Sequence, residues 1–265
     1  MAFVVRLLSA LGLVATAAAM SLPAQAADMK SMGIPGTFSA NAGLVTEYRF
    51  RGLDQSDEKP AFQGGIDWSM DTGFKDTSVY LGTWGSSVDF NDGNSGSDGN
   101  SGHASIETDW YGGVRGTGMY GIGYDVGLIY FAYPGASSKD DYNYLEFQIG
   151  LSKEVYKGVT VGVNYNFSNN FFADSGKAHW FAGNVSYALP INFFKGVTVD
   201  ASLGHQSIQN NTKFGTKDYT TWSFGATLGL TDNVSLGVQY VDTNLDENTN
   251  AFGTPAVIGS LSASF

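Results

Sequence analysis

Two stretches of the sequence place ionisable side chains two residues apart: Glu47, Arg49 and Arg51 in one, Glu107 and Asp109 in the other. Single acids, Asp67, Asp89, Asp125, Glu146 and Asp200, each sit between apolar neighbours rather than in turn-like segments. Alternate side chains of an extended chain share a face, so a spacing of two gathers these groups on one side of a sheet. Enclosed by a low-dielectric wall, carboxylates attract cations and repel anions. Eight acids against the two bases Arg49 and Arg51 would make such an enclosure negative. A plainer reading is a network of ion pairs that braces the wall. For Arg49 and Arg51, with Asp54, Asp57 and Glu58 close by, the same choice takes a local form. They form either a constriction of opposed charges or a network that fixes the first loop.

Catalytic chemistry has little support. The sequence holds three histidines; His205 and Ser207 share one face of a strand end, but no motif supplies a third member and there is no nucleophile elbow. His103 and His179 read as exposed residues beside long loops. Without cysteine there is no disulfide framework and no zinc spacing, and no glycine loop of the phosphate-binding kind occurs. The segment Asn91 to Gly102 carries Asp92, Asn94 and Asp98 among glycines and serines, but lacks the acidic twelfth ligand of a calcium loop and reads as solvated surface. No enzyme activity, cofactor or metal is expected. A formal net charge of −11 leaves no basic stripe for nucleic acid.

The elements that position the acids are strands. Val159, Val161, Val163, Tyr165 and Phe167 fall on one face, with Thr160, Gly162, Asn164 and Asn166 on the other. The same alternation recurs in Leu145, Phe147, Ile149, Leu151 and in Trp222, Phe224, Ala226, Leu228. Twelve such strands are predicted, starting near Thr37, Pro60, Ser78, His103, Gly121, Tyr142, Val159, Ala178, Val197, Asp218, Val234 and Pro255. Long connections alternate with short ones, which is the pattern of a transmembrane antiparallel up-and-down β-barrel with outer loops and inner turns. Twelve strands tilted by about 40° close at a backbone diameter of roughly 24 Å. Tyr48, Phe50, Trp84, Phe90, Tyr130, Phe131, Tyr165 and Phe167 are expected as an outer aromatic girdle. Phe74, Tyr156, Tyr187, Phe193 and Phe194 are expected as an inner one.

Met1 to Ala26 has the form of a secretory signal: Arg6, an apolar run from Leu7 to Met20, and Ala24-Gln25-Ala26 as cleavage motif. Residues 27–36 then read as a short periplasmic segment and 37–265 as the barrel. No later apolar run nears the roughly 20 residues of a spanning helix. A soluble barrel would show the same alternation with its faces exchanged; the signal and the loop pattern favour lipid outside.

The runs Thr46-Glu47-Tyr48-Arg49-Phe50-Arg51-Gly52-Leu53-Asp54-Gln55-Ser56, Trp84-Gly85-Ser86-Ser87-Val88-Asp89-Phe90, Tyr130-Phe131-Ala132-Tyr133-Pro134-Gly135-Ala136 and Tyr240-Val241-Asp242-Thr243 resemble the TorF family of porins, in that family's order. The resemblance implies a barrel of the Gram-negative outer membrane, with membrane lipid around it. It also implies a terminal aromatic, here Phe265, that the outer-membrane assembly machinery reads. The function expected from lumen and resemblance together is passive diffusion of small solutes or ions, with a weak preference for cations. The alternative is a closed barrel acting as surface adhesin, receptor or structural envelope protein.

Overall fold

The computed structural model of the protein describes residues 33–90, 104–137, 140–247 and 250–265. The expected signal, the loop Asn91 to Gly102 and His103 lie outside the described residues.

The chain forms β1 (Thr37–Val45), a small hairpin of β2 (Arg49–Phe50) and β3 (Leu53–Asp54), then β4 (Ala61–Asp71), β5 (Thr77–Ser87), β6 (Ile106–Thr117), β7 (Gly123–Ala132), β8 (Tyr144–Tyr156), β9 (Val159–Ser168), β10 (Ala178–Ala188), β11 (Val197–Ile208), β12 (Tyr219–Gly229), β13 (Val234–Thr243) and β14 (Ala256–Ser264). All but β2 and β3 join one closed antiparallel barrel in chain order, so twelve strands make the wall. Each strand begins within three residues of its predicted start. Closure satisfies both edges of the sheet, which is what lets strands cross hydrocarbon. At the seam β1 meets β14, with Leu44 opposite Leu261. The terminal residue extends that ladder: Phe265 N donates to Ala40 O at 2.8 Å, and Ala40 N to Phe265 O at 3.0 Å.

An even strand count brings both ends of the barrel chain to one rim. That rim carries the short connections 72–76, 118–122, 157–158, 189–196 and 230–233; at the opposite, outer rim β1, β5, β7, β9, β11 and β13 end.

The two faces of the wall settle which side meets lipid. Phe62 is 71% exposed and Leu81 61%, whereas Glu107 and Glu146 are each 1% exposed. On β8, Leu145, Phe147, Ile149 and Leu151 point out while Glu146 and Gln148 point in. A water-soluble barrel would hide the apolar set. Here it forms a belt around the outside, and polar residues fill the inside. That distribution fits a solvent of hydrocarbon around the barrel. The protein is a membrane-spanning β-barrel.

The lumen is packed at its outer end. Tyr48, Trp84, Ile129, Phe131, Tyr133, Tyr144 and Phe171 form an apolar cluster there, with Phe50 and Phe90 packed against it. Five of the aromatics expected in the outer girdle, Tyr48, Phe50, Trp84, Phe90 and Phe131, therefore turn inward. The first loop folds into the barrel mouth, and its own rings need an apolar bed. Phe131 stacks on Tyr144 at 4.5 Å between centroids, and Phe50 meets Phe131 edge-on at 5.6 Å. Tyr130, Tyr165 and Phe167 keep their outward positions, and Phe74, Tyr156, Phe193 and Phe194 are exposed near the short turns.

Candidate lumenal site

The site is built from the first loop and the wall it leans on. The first strand ends at Val45, so Glu47, Arg49 and Arg51 do not continue its inner face as the two-residue spacing predicts. Instead the chain turns into the lumen and doubles back as the hairpin β2–β3. Arg51 and Gly52 form the turn, at φ +51° and +86°. Two successive residues at positive φ characterise the two-residue hairpin turn whose twist matches its strands. A Cβ at Gly52 would strike Thr221 Oγ1 and come within 2.8 Å of Thr243 Cγ2. The hairpin tip thus touches β12 and β13, on the side of the ring away from β5 to β8.

Arg51, Arg49 and Asp54 each have partners in the loop or the wall. Arg51 donates through Nη1 and Nη2 to Glu146 Oε1 and Oε2 at 2.9 and 2.6 Å, and through Nη1 to Gln206 Oε1 at 2.8 Å. Its guanidinium also lies 4.7 Å from the Phe50 ring and 5.0 Å from the Trp180 ring. Arg49 pairs with Glu47 and donates to the carbonyls of Phe252 and Thr254 at 2.7 and 3.1 Å, tying the first outer loop to the last. Tyr48 Oη donates to Glu107 Oε1 at 2.7 Å. Asp54 caps the return of the chain, accepting from the amides of Ser56 and Glu58 at 2.9 and 2.8 Å. Burial raises the Asp54 carboxyl above the ordinary carboxylate range, although those amides act against it. Burial raises Glu47 too, despite Arg49 beside it.

Of the predicted site residues, Asp67, Glu107, Asp109, Asp125, Glu146 and Asp200 lie on inward positions of the wall. Asp89 does not. The strand before it ends at Ser87, Val88 turns in, and Asp89 sits at the rim, ion-paired with Lys59 at 2.8 Å. Asp67 accepts from Tyr111 Oη at 2.7 Å and Asp125 from Tyr80 Oη at 2.6 Å. Tyr80 reaches that far because its hydroxyl lies over glycine: a Cβ at Gly127 would come within 2.8 Å of it.

One lumenal base escaped the count. Arg115 follows Glu107 and Asp109 on the same face of β6, stands opposite Asp125, and places its guanidinium 5.0 Å from the Tyr80 ring. Period two alone marks it. The wall and loop together therefore present a layered lumen. Arg51 and Arg49 cross its outer half, and Asp67, Asp125, Arg115 and Asp200 line the half nearer the short turns.

His205 and Ser207, the weak catalytic candidates, alternate with the inward Gln206 and so face outward. His205 Nδ1 lies 3.0 Å from Thr220 Oγ1, and His179 Nδ1 lies 2.7 Å from Tyr165 Oη.

The barrel resembles solved outer-membrane pores in fold. The KdgM porin aligns with a TM-score of 0.50 at 10% identity over 86% of this chain and 98% of that one. The NanC porin gives 0.50 at 12% identity over 86% and 98%. The COG4313 outer membrane channel from Pseudomonas putida F1 gives 0.52 at 10% identity over 87% and 95%. Among curated proteins none matches the sequence. The TorF resemblance is upheld as far as an outer-membrane barrel, and the family itself carries another description. Over residues 29–265 the chain matches, and belongs to, the family described as bacterial protein of unknown function (Gcw_chp).

Proposed function

We propose that the protein is a porin-like outer-membrane channel for passive diffusion of small solutes. On this reading it prefers cations weakly, and its inward first loop sets the conductance. The observation that carries the reading is a porin-type wall whose inner face bears six carboxylates, Asp67, Glu107, Asp109, Asp125, Glu146 and Asp200, against Arg115 and the loop's Arg51, the loop's Arg49 being paired with Glu47. Such an excess inside a low-dielectric wall favours cations. The TorF-like runs support the same reading, and the first of them is the inward loop itself. Single-channel reversal potentials of the refolded protein in a salt gradient test it; anion preference would contradict it.

A second reading, a closed barrel serving as adhesin, receptor or envelope scaffold, is favoured by one observation. Arg49 and Arg51 are 1% and 4% exposed, so at their level the loop fills the lumen. Liposome swelling with small sugars and amino acids separates the two, because a permanently plugged barrel gives none. In either case the exposed ring of Phe265, which closes the seam strand, is the proposed contact for the assembly machinery.

A further inference from the structure

Asp109 differs from the other fully buried or hydrogen-bonded acids of the inner wall, and from Asp200, which is only half-buried. Asp67 and Asp125 each accept from a tyrosine hydroxyl, Glu107 accepts from Tyr48 and Tyr133, and Glu146 holds Arg51 and accepts from Asn166 at 3.0 Å. Asp109 is fully enclosed, at 0% exposure, and neither of its carboxylate oxygens has a hydrogen-bond partner among the described residues. Across the ladder it stands between Trp84 and Phe131, whose rings flank it on the inner wall. Glu107, two residues back on the same face, adds negative charge, and the guanidinium of Arg51 is committed to Glu146. A dehydrated carboxylate with no counter-charge is among the costliest groups a protein can enclose. Something of opposite charge belongs beside it.

We propose that Asp109 is the anionic half of a binding site for a small monovalent cation, alkali or ammonium, held inside the barrel beneath the first loop. The charge balance favours a single positive charge, because Glu107 is already solvated by two phenols and Glu146 by a guanidinium. A divalent ion such as calcium takes six to eight oxygens. Among the described residues, no three His, Asp or Glu side chains converge closely enough to hold a metal ion. Aromatic faces attract cations, and Trp84 and Phe131, opposite Asp109 on the two neighbouring strands, are the aromatic neighbours such an ion would have. Below it, half-buried Tyr111 and Asp67 lead toward the lumen of the short-turn half. The inference rests on the reading of the lumen as cation-preferring and names where a cation would dwell.

Thermal unfolding of the refolded protein in detergent, at neutral pH and with a bulky organic cation as background salt, tests it. Sodium, potassium or methylammonium chloride is then titrated in, and infrared spectra are recorded across the carboxyl region. Wild type should gain melting temperature saturably with at least one of these cations, as linkage requires of a ligand bound only to the folded state. Asp109→Asn should lose that response and, without small cations, melt no lower than wild type. Equal responses in both proteins, or a stronger response to calcium or magnesium than to any monovalent ion, would overturn the site. So would a protonated carboxyl band in wild type that ignores cation concentration, since a proton would then be the occupant. If Asp109→Asn does not refold, the infrared difference spectrum of wild type with and without cation decides by itself. Saturable binding in a protein that never conducts would refute the channel alone; conduction without such binding would refute only this site.

Discussion

Arg51, at the tip of an inward hairpin, closes both arms of its guanidinium on the carboxylate of Glu146, which stands on the wall of β8. Both side chains are enclosed. The pair joins a loop tip to a barrel strand, and does so in the outer half of the lumen. It is the natural candidate for what keeps the loop inside.

Removing one partner should therefore do two things. Arg51→Ala leaves Glu146 enclosed without its counter-charge, a loss of about 3–5 kcal/mol for such pairs. The loop should leave its bed, lowering resistance to denaturant and raising single-channel conductance. The double variant Arg51→Met/Glu146→Gln removes both charges and keeps an acceptor for Asn166. It should recover most of the stability while staying more conductive than wild type. Urea unfolding in detergent and bilayer recording of the three proteins check this.

Gly52 gives a test that leaves every charge in place. Gly52→Val adds strain at φ +86° and drives a side chain against Thr221 and Thr243. Overpacking of this sort costs about 1–3 kcal/mol. Conductance should rise toward that of Arg51→Ala with cation preference retained. Unchanged conductance would mean that the tip does not limit passage.

The loop's acids predict a pH dependence. Burial raises Asp54 and Glu47 in the packed loop, whereas a loop swung into water returns them to the ordinary range near about 4. Protonation favours the state with the higher pKa, here the packed one. Their contribution to packing is full below the ordinary range and is lost as pH rises through the raised values. Acidifying the outer compartment should lengthen closed times, and Glu47→Gln/Asp54→Asn should flatten the profile in that window. Longer openings on acidification would contradict the assignment.

The belt is tested from the other side of the wall. Leu128 points outward near the middle of β7 and is 50% exposed to the surroundings. Leu128→Arg should cost about 2–4 kcal/mol in a bilayer, the price of arginine at the midplane of a barrel. Reversible unfolding in phospholipid vesicles measures it; a neutral effect would place water there.

The strands were readable because period two survives wherever one face meets hydrocarbon and the other does not. The run from Val159 to Phe167 and the starts at Thr37, Ala178, Val197 and Val234 came straight from it. Arg115 was equally readable, lying on the face already marked by Glu107 and Asp109. The first loop was not. Thr46 to Arg51 keeps a strand's alternation, and nothing local says that Tyr48 and Phe50 will pack inside the barrel. That depends on Trp84, Phe131 and Tyr144, brought together only by closure. Asp89 failed for a related reason, since its alternating neighbours Val88 and Phe90 turn inward at the rim to serve the same cluster.

The most direct test is planar-bilayer recording of refolded wild type and Arg51→Ala across a potassium chloride gradient. A loop-limited, acid-lined channel predicts small conductance in wild type, larger conductance in the variant, and a reversal potential of the sign for cations in both. Silence in both proteins, or a reversal potential of the sign for anions, would contradict it.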